Sequence, residues 1–242
     1  MHFASAYGAF VARQQLTPAK AQQLAGAGLR AIVIQVDWQR SKLSQRTVTQ
    51  LRDEIAAAHG AGLVVCWWAW CTPTQAAEAG RRPAGPRALE QRLAELVAGC
   101  GAPGIFFVDA EVGGGWRPRV LPELPDVIAA ARAAGIARIG LTSHARITPS
   151  WGAEHADVGA PQLYDDNPVS VLQVRRSLET WEAAPCVWPV LSCADASSTP
   201  AEMRGDLATL RMLKIPGALW WTARQLRKDN GRLAAAVPSL EG

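Results

Sequence analysis

No stretch of this sequence approaches the run of about 18 apolar residues that a membrane-spanning helix needs, so no membrane segment is expected. Nor is there a basic block with interleaved aromatics. The 25 Lys and Arg are scattered among 21 Asp and Glu for a net charge of +4, and nucleic acid is not an expected partner. Histidine is scarce, at four residues, with no His-x-His or His-Glu-x-x-His, so no metal site is expected. Gly-x-Ser-x-Gly is missing too. Ser143 and His144 are neighbours, which puts them on opposite faces of a strand and excludes a direct nucleophile–base pair. The first turn, Tyr7-Gly-Ala-Phe-Val-Ala, lacks the Gly-x-Gly-x-x-Gly spacing of a dinucleotide site. Gly113-Gly-Gly115 is followed by Trp116, Pro118 and Pro122, which reads as a flexible loop and not a phosphate cradle; no cofactor is expected.

Cys-x-x-Cys is also absent. The five cysteines, Cys66, Cys71, Cys100, Cys186 and Cys193, are odd in number, and three lie in or beside apolar runs. They read as buried free thiols in a reducing compartment, with Cys66–Cys71 or Cys186–Cys193 as the disulfides that spacing leaves open. The start, Met1-His-Phe-Ala-Ser-Ala-Tyr-Gly8, has no basic leader followed by an apolar stretch. No signal peptide is visible, and the chain is expected to be cytoplasmic as synthesised.

What the chain does have is apolar mass: 49% hydrophobic and 19% charged residues over 242 positions, enough for a sizeable core in one domain spanning 1–242. Strand-like runs fall at 2–7, 31–37, 63–70, 105–109, 138–142, 158–164, 186–191 and 217–221. Between them lie helical patterns at 17–28, 47–59, 85–99, 122–134, 170–183 and 199–213, and the tail from Gly231 reads as a short helix. Thr17-Pro18 and Thr199-Pro200 are helix starts, a capping hydroxyl followed by proline at the first helical position. Alternating strands and helices predict a parallel sheet, and eight units predict an α/β fold, the (β/α)8 TIM barrel. An open doubly wound sheet is the runner-up.

The most telling segment is Gly104-Ile-Phe-Phe-Val-Asp-Ala-Glu111. An apolar run ends in two carboxylates one residue apart, which on a strand point the same way, about 7 Å from each other. Buried acids at a strand end are costly for stability alone and suited to work on a glycosidic bond. A neighbouring carboxylate and a tryptophan-lined wall would both raise the pKa of an acid such as Glu111. In a barrel the active site lies at the C-terminal rim, so the strand ends are the candidates: Tyr7, Asp37 and Trp38, Trp68 and Trp70, Asp109 and Glu111, Ser143 and His144, Gln162, Tyr164 and Asp165, Ser192 and Asp195, and Trp220 and Trp221. Trp70 and Trp220 suit sugar stacking, because an indole offers a flat apolar face with a polar edge. Trp67 and Trp188 read as core. Asp37 could equally cap the next helix or pair with Arg40, and Asp109 and Glu111 could pair with Arg117 or Arg119.

Phe107-Val-Asp109-Ala-Glu111 resembles the Asp-x-Glu motif of glycoside hydrolase family 25 lysozymes and the end of the family 18 chitinase motif. Pro161-Gln162-Leu-Tyr164-Asp165 resembles the strand-six Gln-x-Tyr element of family 18, and Ala218-Leu-Trp220-Trp221 the strand-eight tryptophan segment of both. The resemblance lies in the order of motifs around a barrel. It implies that Glu111 is the proton donor and that Asp109 stabilises a participating acetamido group. It further implies that Gln162 and Tyr164 bind that group and Trp220 floors the pocket; Asp37, Trp70 and Asp165 are further candidate substrate contacts from their place at the strand ends. The implied activity is hydrolysis of an N-acetylhexosamine polysaccharide, peptidoglycan first and chitin-like chains second. Such a protein would be phage-encoded or reach the wall by a route without a signal. The alternative is a catalytically silent carbohydrate-binding or structural barrel, in a phage particle or wall-associated assembly. A barrel enzyme on a small phosphorylated metabolite is a third reading, weakened because 192–199 has no glycine to build a phosphate turn.

Overall fold

The computed structural model describes residues 6–11, 16–36, 47–70, 86–110, 124–144, 155–164, 170–192 and 199–221. The elements run β1 Ala6–Val11, α1 Pro18–Gly26, β2 Ala31–Gln35, α2 Val48–Gly60, β3 Val64–Trp70, α3 Pro86–Cys100, β4 Phe106–Asp109. They continue with α4 Leu124–Ala133, β5 Ile139–His144, β6 Val158–Leu163, α5 Val171–Thr180, β7 Val190–Ser192, α6 Pro200–Met212 and β8 Gly217–Trp221. Every neighbouring pair of strands is parallel, and β8 returns to β1, so the sheet closes. The protein is a (β/α)8 TIM barrel.

Short sequence signals start the helices. Thr17 accepts from the Lys20 amide at 3.4 Å with Pro18 behind it, and Ser170 accepts from the Gln173 amide at 3.1 Å. Thr47 with Gln50 and Thr199 with Glu202 form complete capping boxes, each side chain bonding the other's backbone N–H. The turns from helix back to strand need a left-handed residue. Gly28, Gly62, Gly101 and Gly135 supply it before β2, β3, β4 and β5, where glycine adopts positive φ without a Cβ clash. Before β8 the same position is taken by Lys214, at φ 56°.

Two buried clusters follow from strand alternation. Outward residues such as Ile32, Ile34, Trp67, Phe106, Val108, Leu141 and Trp220 pack against helix residues Leu24, Leu51, Leu93, Val127 and Leu207. Inward residues, among them Phe10, Val33, Cys66, Trp68, Phe107, Ala160, Trp188, Val190 and Leu219, fill the barrel. The interior admits large rings because small residues face them. A Cβ on Gly140 would clash with the edge of the Phe107 ring, and one on Gly8 would lie 2.9 Å from Leu219 Cδ2.

Most strand ends differ from the sequence reading by one or two residues, and two strands are displaced further. The first strand, described from Ala6, runs on to Val11, past Tyr7 where the sequence reading ended it, while residues 2–5 lie outside the described residues. Gly8 suggests a stop, yet it lies inside the strand because there is no room for a side chain between Leu219 and Ala31. The seventh strand is Val190–Ser192 and not 186–191, since Pro189 has no N–H for the ladder, and Val187 makes only an isolated bridge to Gly159. Cys66, Cys100 and Cys186 are free thiols, which excludes the Cys66–Cys71 and Cys186–Cys193 pairings. Cys71 and Cys193, and the tail helix expected from Gly231, lie outside the described residues. Among those residues, no helix is long and apolar enough to cross a membrane.

Candidate active site at the C-terminal mouth of the barrel

Carrying the register around the barrel places inward residues of alternate strands at one height, the layering expected of this fold. Val33, Phe107, Ala160 and Leu219 form an apolar layer. Above it lie Phe10, Trp68, Thr142 and Val190. The next layer toward the C-terminal ends holds Gln35, Asp109, Gln162 and Trp221, one from each even-numbered strand. The core therefore changes from mainly apolar to mainly polar as it approaches the mouth.

Asp109 is the last residue of β4. Val108 before it belongs to the helix-facing cluster and Phe107 to the interior, so alternation turns the carboxylate inward, where it is 3% exposed. Gln162, 4% exposed, donates from Nε2 to Thr142 Oγ1 on the neighbouring strand at 3.3 Å, and its Oε1 has no hydrogen-bond partner among the described residues. Gln35 ends β2 and is buried. Trp221 is partly exposed; its ring stands against Trp68 and Phe10, with centroids 5.2 and 5.3 Å away. Tyr164 packs on the interior cluster from just beyond β6. The mouth thus combines a carboxylate, two amides, a hydroxyl and a partly exposed indole.

Other expected site residues fall differently. Glu111, Asp37 and Asp165 lie outside the described residues, as do the side chains of Trp70 and His144; the Trp70 backbone is the register partner of Asp109. Trp220 is corrected. It is fully buried in the strand–helix layer, 5.9 Å ring to ring from Tyr7, and cannot touch a ligand inside the barrel. Its neighbour Trp221 takes the inward place. Tyr7 is corrected for the same reason: it sits near the start of β1 and packs outward. Gln35 and Thr142 were missed. The signal was present as alternation, since each stands two residues after a small or apolar inward residue.

Within the core the Cys66 thiol is pushed up to about 12, chiefly by burial, against a weaker opposing hydrogen bond with the Ile105 backbone. Burial also raises the Cys186 thiol, opposed by hydrogen bonding to Trp188. Both are neutral near pH 7, and neither is an activated nucleophile. Among the described residues no group of three or more His, Cys, Asp or Glu side chains could hold a metal ion.

No protein-family model and no curated protein matches the sequence. Solved structures do match in shape. A chitinase from Rhizomucor miehei shares 12% identity over 96% of this chain and 99% of its own, with a TM-score of 0.66. A glycoside hydrolase family 17 β-1,3-glucanosyltransferase from the same organism shares 11% over 89% and 86%, with a TM-score of 0.56. A D-psicose 3-epimerase from Clostridium cellulolyticum H10 shares 12% over 98% of each chain, with a TM-score of 0.50. At such identities the likeness is one of fold, and the fold carries hydrolysis, glycosyl transfer and epimerisation alike, so chemistry has to be argued from the residues at the mouth.

Proposed function

We propose that this protein is a glycoside hydrolase that cleaves an N-acetylhexosamine polysaccharide, peptidoglycan first and chitin-like chains second. The supporting observation is the buried, inward Asp109 at the end of β4, two residues before Glu111, in one layer with Gln162 and Trp221. Glu111 protonates the glycosidic oxygen as the bond to the anomeric carbon breaks. The substrate's own acetamido oxygen closes on that carbon, Asp109 balances the developing charge, and water then adds to the carbon, giving a proton to the Glu111 carboxylate as the acetamido ring reopens. Trp221, in place of Trp220, carries the sugar ring. A chitinase and a family 17 transferase among the structures of like shape agree with carbohydrate chemistry without selecting the glycan.

Purified protein and its Glu111→Gln variant, incubated with peptidoglycan and with chitin oligomers, are compared for new reducing ends. Wild type releases them and the variant does so at least about a hundredfold more slowly. Equal inactivity of both on all N-acetylhexosamine substrates rejects the hydrolase; binding without release identifies the non-cleaving carbohydrate barrel instead.

A further inference from the structure

The mouth holds more polar chemistry than the proposed reaction uses. Interior layers of such barrels are filled mainly by branched apolar side chains. Here Gln35, Asp109 and Gln162 take three places of one layer, at 5%, 3% and 4% exposure. Burying an amide is unfavourable unless its donors and acceptors are met. Gln162 meets one need through Thr142, while Oε1 has no partner among the described residues. In the closed ring β2 lies opposite β6 and β4 opposite β8. Gln35 therefore faces Gln162 across the barrel axis, as Asp109 faces Trp221.

We infer that Gln35 and Gln162 form an amide pair that reads the neutral polar edge of a sugar ring lying on Trp221, which makes Gln35 a specificity-determining residue of the mouth. A carboxamide offers a donor and an acceptor side by side, matching a hydroxyl or an acetamido group, which also donates and accepts. The Gln162 Oε1 takes a hydrogen from the ligand. An anionic sugar is disfavoured at this subsite because its charge would be buried in the same layer as Asp109. The inference rests on the glycosidase reading for its ligand class and does not depend on turnover.

The test is calorimetric titration of the Glu111→Gln protein with N-acetylchitotetraose and with oligogalacturonate, alone and combined with Gln35→Met, which keeps volume and removes the amide. The tetraose binds, the anionic oligomer does not, and Gln35→Met weakens the tetraose about five- to tenfold with an unchanged melting temperature. Equal affinity of Gln35→Met overturns the inference and leaves the glycosidase reading standing. Failure of the protein both to bind and to cleave any N-acetylhexosamine oligomer overturns both. Should Gln35→Met not fold, the side-chain amide NMR signals of Gln35 in 15N-labelled Glu111→Gln protein decide: a shift on saturation with tetraose supports the pair, and no shift rejects it.

Discussion

Trp68 and Trp221 meet edge to face inside the barrel, their ring centroids 5.2 Å apart and their planes at 71°. The contact fixes Trp221 as the inward indole of β8, with Trp220 turned to the helices. The two adjacent tryptophans therefore separate under mutation. Trp221→Ala is expected to lower glycan affinity at least about tenfold with a modest loss of stability, because its partly exposed ring is the proposed platform for the sugar. Trp220→Ala is expected to cost about 3–5 kcal/mol in urea denaturation, as a fully buried aromatic lost from the strand–helix layer. A Trp220→Ala protein that still folds should bind glycan normally.

The Phe107 ring packs so closely on Gly140 that a Cβ there would clash with it. Gly140→Ala should therefore destabilise by about 1–3 kcal/mol through overpacking. Phe107→Leu opens space, so the double variant should be more stable than the sum of the single losses predicts. A strictly additive double-mutant cycle would show that the two positions do not share that space.

Lys214 holds a left-handed conformation, φ 56°, in a turn whose counterparts before β2 to β5 use glycine. Lys214→Gly should stabilise the native state by about 0.5–1 kcal/mol, since relief of the Cβ strain outweighs the added unfolded-chain entropy. The check is the urea midpoint at constant m-value.

Cys66 should resist alkylation in the native protein at pH 8, while denatured protein reacts at once. Its folded pKa, about 12, stands above the ordinary thiol value of 9.0. The stabilisation is therefore fully present below pH 9. Between pH 9 and 12 the unfolded thiol ionises while the folded one stays protonated, so stability falls by about 1.4 kcal/mol per pH unit. Cys66→Ala should flatten that part of the stability–pH curve, as measured by denaturant melts from pH 8 to 11.

The barrel was legible from the alternation of Asp109's strand and its seven counterparts with helices, since strand and helix periods are local properties of neighbouring residues. Helix starts at Thr17, Thr47, Ser170 and Thr199 were legible for the same reason: a cap reaches only three residues along the chain. The two misplaced strands show where local reading ends. Gly8 stops a strand by composition but sits in one because Leu219, over two hundred positions away, closes against it.

Of the candidate site, the sequence alone determined that inward and outward residues alternate, and that Asp109 and Glu111 share a parity. It did not determine which parity is inward on β8, because Trp220 and Trp221 are chemically alike and either could face a ligand. Only barrel closure decided that, by pairing β8 with β1 and β7 in one register. The same closure brought Gln35, Asp109, Gln162 and Trp221 to one height from strands far apart in the chain. Alternation is set by the geometry of a single strand, whereas register is set by hydrogen bonds and packing between strands, which no local stretch of sequence contains.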